Sequence, residues 1–270
     1  MSRRFIEMAA LSDAGSVRQF NEDSIAADPE SGVAVVADGM GGHRAGEVAA
    51  RLAAHIVFDR LQARIAEFRA TAGPHSPLQA VDESINRANG AVYDASRTRP
   101  SYHGMGTTLA ATLFYDNRVA AGHLGDSRIY RLRDGVLELL TRDDSLLRDE
   151  MDLGLVSAAD AAGSHNRGFV TRALGVGPAA RAHLVEHEAR GGDVYLLCSD
   201  GLNDLVDDAD IELILAGLNV NLPLAATHLV QAAKDNGGYD NVSVILARVL
   251  EPFPAPGRPS WKERWLGWLR

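Results

Sequence analysis

The chain has 270 residues, 46% hydrophobic and 23% charged, proportions of an ordinary globular protein that exclude a disordered, collagen-like or coiled-coil chain. Against 36 aspartates and glutamates stand 27 lysines and arginines, a net charge of -9, and with no basic stretch to track a phosphate backbone this argues against nucleic-acid binding. The single cysteine, Cys198, excludes an intrachain disulfide and a cysteine-built zinc site and fits a reducing compartment.

No run approaches the roughly 20 apolar residues of a spanning helix. The stretch Ile6-Glu7-Met8-Ala9-Ala10 behind the basic start carries an acid and is too short for a signal core, so a cytoplasmic protein is expected. Val33-Ala34-Val35-Val36-Ala37 is a short apolar strand, followed at Asp38 by a glycine-rich turn. From Glu47 to Arg69 apolar residues recur at three- and four-residue spacing, and the pattern repeats over Leu78 to Arg97 after a Gly-Pro break, so two amphipathic helices are predicted.

Short β-branched segments then follow at Thr107–Tyr115, Arg118–Leu124, Ser127–Leu132 and Val136–Leu140, with Asp116-Asn117 and Asp134-Gly135 as tight-turn signals, and a meander is expected. Residues 143–180 lose the strand pattern and read as an insertion with a short helical piece. A strand is predicted at Asp193–Cys198, helices at Asp208–Leu218 and Leu222–Lys234, and a last strand at Asn241–Val249. Strands in a row and helices in pairs define an α+β protein with helices layered on antiparallel sheets. The proline-rich stretch from Pro252 reads as a linker to a tail whose Trp261, Trp265 and Trp268 would share one helical face. Such a tail either folds back on its own domain or docks on a partner or a membrane surface.

The chemistry is carried by acids at strand ends. Asp38, Asp126 and Asp200 each follow an apolar strand, Asp235 and Asp240 precede the last one, and Glu22-Asp23 precede Ser24–Ala27. Charges beside buried strands are costly unless paired or coordinated, and an all-oxygen donor set favours Mg²⁺ or Mn²⁺. The cluster Asp38-Gly39-Met40-Gly41-Gly42-His43 lacks the spacing of either nucleotide-phosphate loop, so its glycines are read as allowing a close backbone approach to a metal. Cys198 lacks an arginine-ending phosphate loop and is expected to be a buried strand residue.

Arg18-Gln19-Phe20-Asn21-Glu22-Asp23, Asp38-Gly39-Met40-Gly41-Gly42, Gly104-Met105-Gly106-Thr107-Thr108, Gly125-Asp126-Ser127-Arg128, Thr171-Arg172-Ala173-Leu174-Gly175, Ser199-Asp200-Gly201 and Asp240-Asn241 occur in that order. Together they resemble the ordered motifs of the metal-dependent (type 2C) serine/threonine protein phosphatases in their bacterial form. The resemblance implies a β-sandwich of two antiparallel sheets flanked by pairs of helices, a four-layer αββα arrangement within a catalytic domain 1–250, with a flap at about 143–180 and a tail 251–270. It also implies hydrolysis of phosphoserine and phosphothreonine monoesters in proteins by a metal-activated water at a two-metal Mn²⁺ or Mg²⁺ centre. Carried over by motif, Asp38 bridges the metals, the Gly39 carbonyl joins one of them, Asp200 and Asp240 hold the other, and Glu22 and Asp23 reach the second. Asp126 with Asp200 would hold a third, weaker ion, and Arg18 would bind the substrate phosphate.

The family pattern is not matched everywhere. Eukaryotic members carry a histidine directly after the Asp-Gly step, where this chain has Met40, and His43 is a candidate replacement as general acid or else a capping or second-layer group. Asp144 stands where the family usually has histidine. Phosphorylated proteins, including a cognate kinase or its substrates, are the expected partners. A hydrolase of a small phosphorylated metabolite, or an inactive binding module on the same fold, are the alternatives.

Overall fold

The computed structural model describes residues 5–41, 45–71, 76–161, 164, 166 and 168–253. In chain order it contains β1 (Ile6–Asp13), β2 (Ser24–Asp28), β3 (Val33–Ala37), β4 (Gly39–Met40), α1 (Ala45–Ala70), α2 (Pro77–Thr98), β5 (Gly106–Thr107), β6 (Leu109–Tyr115), β7 (Arg118–Leu124), β8 (Arg128–Arg133) and β9 (Val136–Leu139). There follow α3 (Leu146–Asp152), α4 (Ala158–Ala161), β10 (His183–Glu188), β11 (Val194–Cys198), α5 (Asp200–Asn203), α6 (Asp208–Leu218), α7 (Leu222–Asp235) and β12 (Val242–Val249).

Two five-stranded antiparallel sheets, in the orders β1-β12-β11-β8-β9 and β10-β7-β6-β3-β2, pack face to face. The run Val33–Ala37 shows why the central strands read as continuous apolar segments rather than alternating ones. Val33, Val35 and Ala37 lie against α1 and α2, while Ala34 and Val36 meet Ile129, Leu197 and Ile245 of the other sheet. In β11, Val194, Leu196 and Cys198 face α5 to α7, and Leu197 faces the opposite sheet. A strand covered on both faces has no polar side to show. The expected αββα layering is therefore present.

Local signals hold the ends of these elements. Ser76 caps α2 by accepting from the Gln79 N–H ahead of Pro77, and Asp207 and Asn221 cap α6 and α7 in the same way, each satisfying an amide that the first helical turn leaves open. The two predicted reversals are made by Asp116 and Asn117, at φ 55° and 58°, and by Asp134 and Gly135, at 52° and 81°, the conformation of tight hairpin turns.

Three readings of the sequence are corrected. The strands from 107 to 140 are not one meander: β6 and β7 belong to one sheet and β8 and β9 to the other, and the chain crosses between them at Gly125-Asp126-Ser127. Apolar strands buried on both faces carry no mark of which sheet they join. The edge strands β1 and β10, made of Ile6–Asp13 and His183–Glu188, are additions to the predicted set. Finally, the packed chain extends past residue 250: Phe253 is buried, its ring 6.3 Å from that of Phe114, and its N–H donates to Asn117 Oδ1 at 2.6 Å. A large aromatic gains more from that hydrophobic site than from solvent. Trp261, Trp265 and Trp268 lie outside the described residues. The 143–180 stretch contains α3 and α4 among its described residues.

Candidate metal centre at one end of the sandwich

Asp38 leaves β3 at one end of the sandwich, and its backbone is tied down from both sides. Its N–H donates to Thr108 Oγ1 at 3.1 Å, and its carbonyl accepts from the Thr108 N–H at 2.9 Å and from Thr107 Oγ1 at 2.8 Å. Thr108 Oγ1 also shares a 2.7 Å hydrogen bond with Ser127 Oγ, the neighbour of Asp126. The two adjacent threonines thus join the Asp38 turn to the crossover that carries Asp126. Gly39 packs directly on the start of α1, where a Cβ would lie 2.2 Å from the Gly46 carbonyl oxygen, and a Cβ on Gly46 would lie 3.1 Å from Glu22 Oε1. Only two glycines permit that approach, which brings the Glu22 side chain beside the Asp38-Gly39 turn.

Asp23 is held by a relay of hydroxyls. Ser199 Oγ donates to Asp23 Oδ2 at 2.8 Å and accepts from the Ser243 N–H at 3.0 Å, while Ser12 Oγ lies 2.8 Å from Ser243 Oγ and accepts from Asn21 Nδ2 at 2.7 Å. Asn241 clamps the same loop: its Oδ1 accepts from the Glu22 N–H at 2.8 Å and its Nδ2 donates to the carbonyls of Ala14 and Phe20. Asp200 opens the short helix α5, and Gly201 lets that turn lie on Asn241, whose carbonyl oxygen would be 2.0 Å from an added Cβ. The loops of Asp200 and Asp240 are thereby brought together.

The electrostatics follow from this packing. Burial raises the pKa of Asp38 and of Asp200 well above the ordinary carboxylate range, and the neighbouring charges add to it, those of Asp23, Asp200 and Asp126 on Asp38 and those of Asp126, Asp204 and Asp240 on Asp200. Burial pushes Asp126 up to about 7, with repulsion from Asp143 and Asp204, and Asp23 up to about 6. Asp23 Oδ1 and Asp200 Oδ1 are buried with no hydrogen-bond partner among the described residues. Buried oxygens of mutually repelling acids call for a cation, and the donors are all hard oxygens that suit Mg²⁺ or Mn²⁺. Among the described residues no three of these acids close into a ready-made metal shell.

Two arginines stand close, and both are committed to acids. Arg18 Nη2 donates to Asp240 Oδ2 at 2.7 Å and its Nε to the Tyr239 carbonyl at 3.3 Å. Arg128 grips Asp143 in a forked pair, with Nη2 to Oδ2 at 2.6 Å and Nε to Oδ1 at 2.9 Å. A cleft of about 460 Å³ opens beside the acids, lined by Asp126, Arg128, Asp143, Asp200, Asn203 and Asp204 and walled by α3.

Of the residues singled out by sequence, Asp23, Asp38, Asp126 and Asp200 come together, Glu22 and Gly39 adjoin them, and Asp240 and Arg18 pair at the exposed edge. His43 lies outside the described residues. Cys198 is buried in β11, where burial pushes its thiol up to about 12, an inert strand residue. Sequence reading overlooked Asp204 and Ser243, and assigned no part to Thr107, Thr108, Ser127, Ser199 or Asn241. A signal existed for some of them, since those last five sit inside the quoted motifs.

A fold of two helix-covered antiparallel sheets with an acidic cleft at one end defines a class of metal-dependent hydrolases, and comparison narrows it. Residues 14–224 match the family model of protein phosphatase 2C, and the chain belongs to that family. It is 40% identical over 252 residues to the serine/threonine protein phosphatase PstP of Mycobacterium tuberculosis, a match that covers 91% of this chain and 45% of PstP. The chain thus spans about half the length of that relative. It is 32% identical over 237 residues to the serine/threonine phosphatase stp of Listeria innocua, covering 87% of this chain and 92% of stp. The crystal structure of the PstP catalytic domain in complex with two manganese ions superposes with a TM-score of 0.78 at 38% identity, over 91% of this chain and 99% of that one.

Proposed function

We propose that this chain is a protein serine/threonine phosphatase that hydrolyses phosphoserine and phosphothreonine monoesters at a dinuclear Mn²⁺ or Mg²⁺ centre. The observation that carries the reading is the cluster Asp23, Asp38, Asp126 and Asp200, four acids gathered at strand ends and raised in pKa by burial and mutual repulsion. In this reading Asp38 lies between the two ions and the Gly39 carbonyl supports one of them. Asp200 and Asp240 hold the other, Glu22 and Asp23 reach the second, and Asp126 with Asp200 serves a third, weaker ion. Bound there, the ions would lower the pKa of an attacking water and neutralise the phosphoryl oxygens.

The chain's own groups supply the rest. Arg18, half-exposed at the cleft edge, offers a forked donor that matches a phosphate, to which it turns when Asp240 is engaged by metal. Thr107 and Thr108 hold the Asp38 backbone so that its carboxylate meets the ions in one orientation, and Ser199 does the same for Asp23. His43 remains the candidate proton donor to the leaving hydroxyl. No described helix is long and apolar enough to cross a membrane, and the lone buried Cys198 fits the cytoplasm. The substrates in this reading are phosphorylated proteins, among them a serine/threonine kinase or that kinase's targets. The catalytic domain is read as 1–253, with the segment beyond it as a tail.

The test is hydrolysis of a phosphothreonine peptide and of p-nitrophenyl phosphate with Mn²⁺, with EDTA, and in Asp38→Asn and Asp200→Asn. Turnover that needs metal and is lost in both variants is expected. Full activity in chelator overturns the reading, and a strong preference for phosphorylated metabolites over the peptide moves the substrate to the small-molecule class.

A further inference from the structure

Asp144 stands where the family pattern has histidine, yet it is nearly inaccessible, with 2% of its side chain exposed, and both of its carboxylate oxygens have partners. His183 Nε2 lies 3.0 Å from Asp144 Oδ1, and the Gly125 N–H donates to Asp144 Oδ2 at 3.2 Å. The Asp144 N–H donates back to the Gly125 carbonyl at 2.9 Å, and the Asp144 carbonyl accepts from the Thr171 N–H at 2.8 Å. Arg172 Nη1 stands 3.6 Å from the same Oδ1. Through its carboxylate and its backbone, Asp144 therefore ties the residue that precedes Asp126 to His183 and to the chain at residues 171–172.

The imidazole is equally constrained. His183 is the first residue of β10, opposite His123 in the β10–β7 register, and the two rings stack at 5.0 Å between centroids and 23° between planes. His123 Nε2 donates to the Arg142 carbonyl at 2.8 Å, which holds the chain just before Asp144. His183 Nε2 also lies 3.1 Å from Arg172 Nη1. That nitrogen cannot both donate to Asp144 and accept from the guanidinium, so with the proton on Nε2 the bond runs to Asp144 and Arg172 serves Asp144 by charge. Ser145 bridges Val170 and the Leu146 N–H donates to the Phe169 carbonyl at 2.8 Å, so the chain at 145–146 and at 169–170 is fastened beside this pair.

We propose that Asp144 and His183 are positioning residues for the metal centre: their pair fixes the Gly125-Asp126 turn and the chain at residues 144–146 and 169–172 as one unit, and so sets how well Asp126 can hold an ion. The imidazole beside position 144 comes from β10, 39 residues away. The inference rests on the assignment of Asp126 to the centre, and its test is built to separate the two.

The variants are His183→Ala, Asp144→Asn and their combination. His183 is 37% exposed at its side chain and tolerates truncation, while the amide introduced by Asp144→Asn would keep an acceptor for the Gly125 N–H and so guards against loss of the fold. The first readout is amide exchange of metal-free protein at Gly125 and Thr171, which should speed up by about tenfold in His183→Ala while strands β3 and β11 stay protected. The second is the Mn²⁺ concentration for half-maximal hydrolysis of p-nitrophenyl phosphate, which should rise on the order of fivefold in either single variant and no further in the double one, since both act through one contact. Turnover at saturating Mn²⁺ should change much less. A lower melting temperature with unchanged exchange at Gly125 and unchanged metal requirement reduces the pair to core packing and overturns the proposal, as do effects that add in the double variant. If exchange responds but the metal requirement does not, the link to Asp126 is wrong even though the pair fastens the segment.

Discussion

Arg18 Nη2 and Asp240 Oδ2 are 2.7 Å apart, with side chains 54% and 33% exposed, so a residue assigned to substrate and a residue assigned to metal hold each other. The pair makes each group's availability depend on the other: in the proposed centre a cation at Asp240 would release the guanidinium, and a phosphate on Arg18 would release the carboxylate. Because the contact is solvent-exposed its own strength is small, and exchange of partners is easy.

The consequence is a separable effect of Arg18→Ala. Loss of a forked contact to phosphate, made before the transition state as well as in it, should raise KM for a phosphothreonine peptide by about tenfold while kcat falls far less. Steady-state kinetics at saturating Mn²⁺ check it. An unchanged KM confines Arg18 to its bond with Asp240.

The buried acids set a pH dependence of stability in metal-free protein. Asp23 at about 6 and Asp126 at about 7 both lie above the 3.8 of an ordinary aspartate, so between these values the folded chain binds more protons than the unfolded one. Stability should therefore fall as pH rises from about 4 through about 7. His123, lowered by burial, works in the opposite direction. Thermal melts of wild type against Asp126→Asn isolate the acid: the variant should gain stability relative to wild type as pH goes from about 5 to about 8, and the Mn²⁺-induced rise in wild-type melting temperature should grow over the same range. A difference that does not change with pH would show Asp126 ionised and solvated.

Thr108 joins two loops through one hydroxyl, accepting from the Asp38 N–H and bonding Ser127 Oγ. Thr108→Val keeps the shape and removes both bonds, leaving buried polar groups unmatched at a cost of about 2 kcal/mol. Chemical denaturation should register that loss, and kcat should fall by more than the folded fraction explains because Asp38 is no longer pinned. Full kcat in Thr108→Val would make the hydroxyl purely structural.

Phe253 packs at the Asp116-Asn117 turn, the end of β6 and β7 away from Asp126. A chain ending at Phe253 should melt like the full chain, whereas one ending at Glu251 should lose about 2 kcal/mol for the exposed aromatic site. Turnover of p-nitrophenyl phosphate per folded molecule should survive both. Equal melting of the two truncations would return Phe253 to the linker.

The helices were readable because their signals are local: α1 and α2 announce themselves by apolar residues three and four apart, and the hairpin turns by Asp-Asn and Asp-Gly pairs. The edge strands were not. Ile6–Asp13 and His183–Glu188 are half-exposed along most of their length and interrupt their apolar residues with charged and polar ones, so neither shows a clean period-two pattern. The identity of the strand ends that bear Asp38, Asp126 and Asp200 could be read from sequence, because a carboxylate directly after an apolar run stands out against the cost of burying it.

By itself, then, the order of residues determined which acids would cap which strands, and the family to which those motifs belong. What only the tertiary structure decided is how those acids are held and by whom: Ser199 reaches Asp23 across 176 residues, Thr108 reaches Asp38 across 70, and His183 reaches Asp144 across 39. Hydroxyls, amides and imidazoles at such separations leave no periodic trace. Their partners are chosen by which sheet a strand enters, and a strand buried on both faces carries no local sign of that choice.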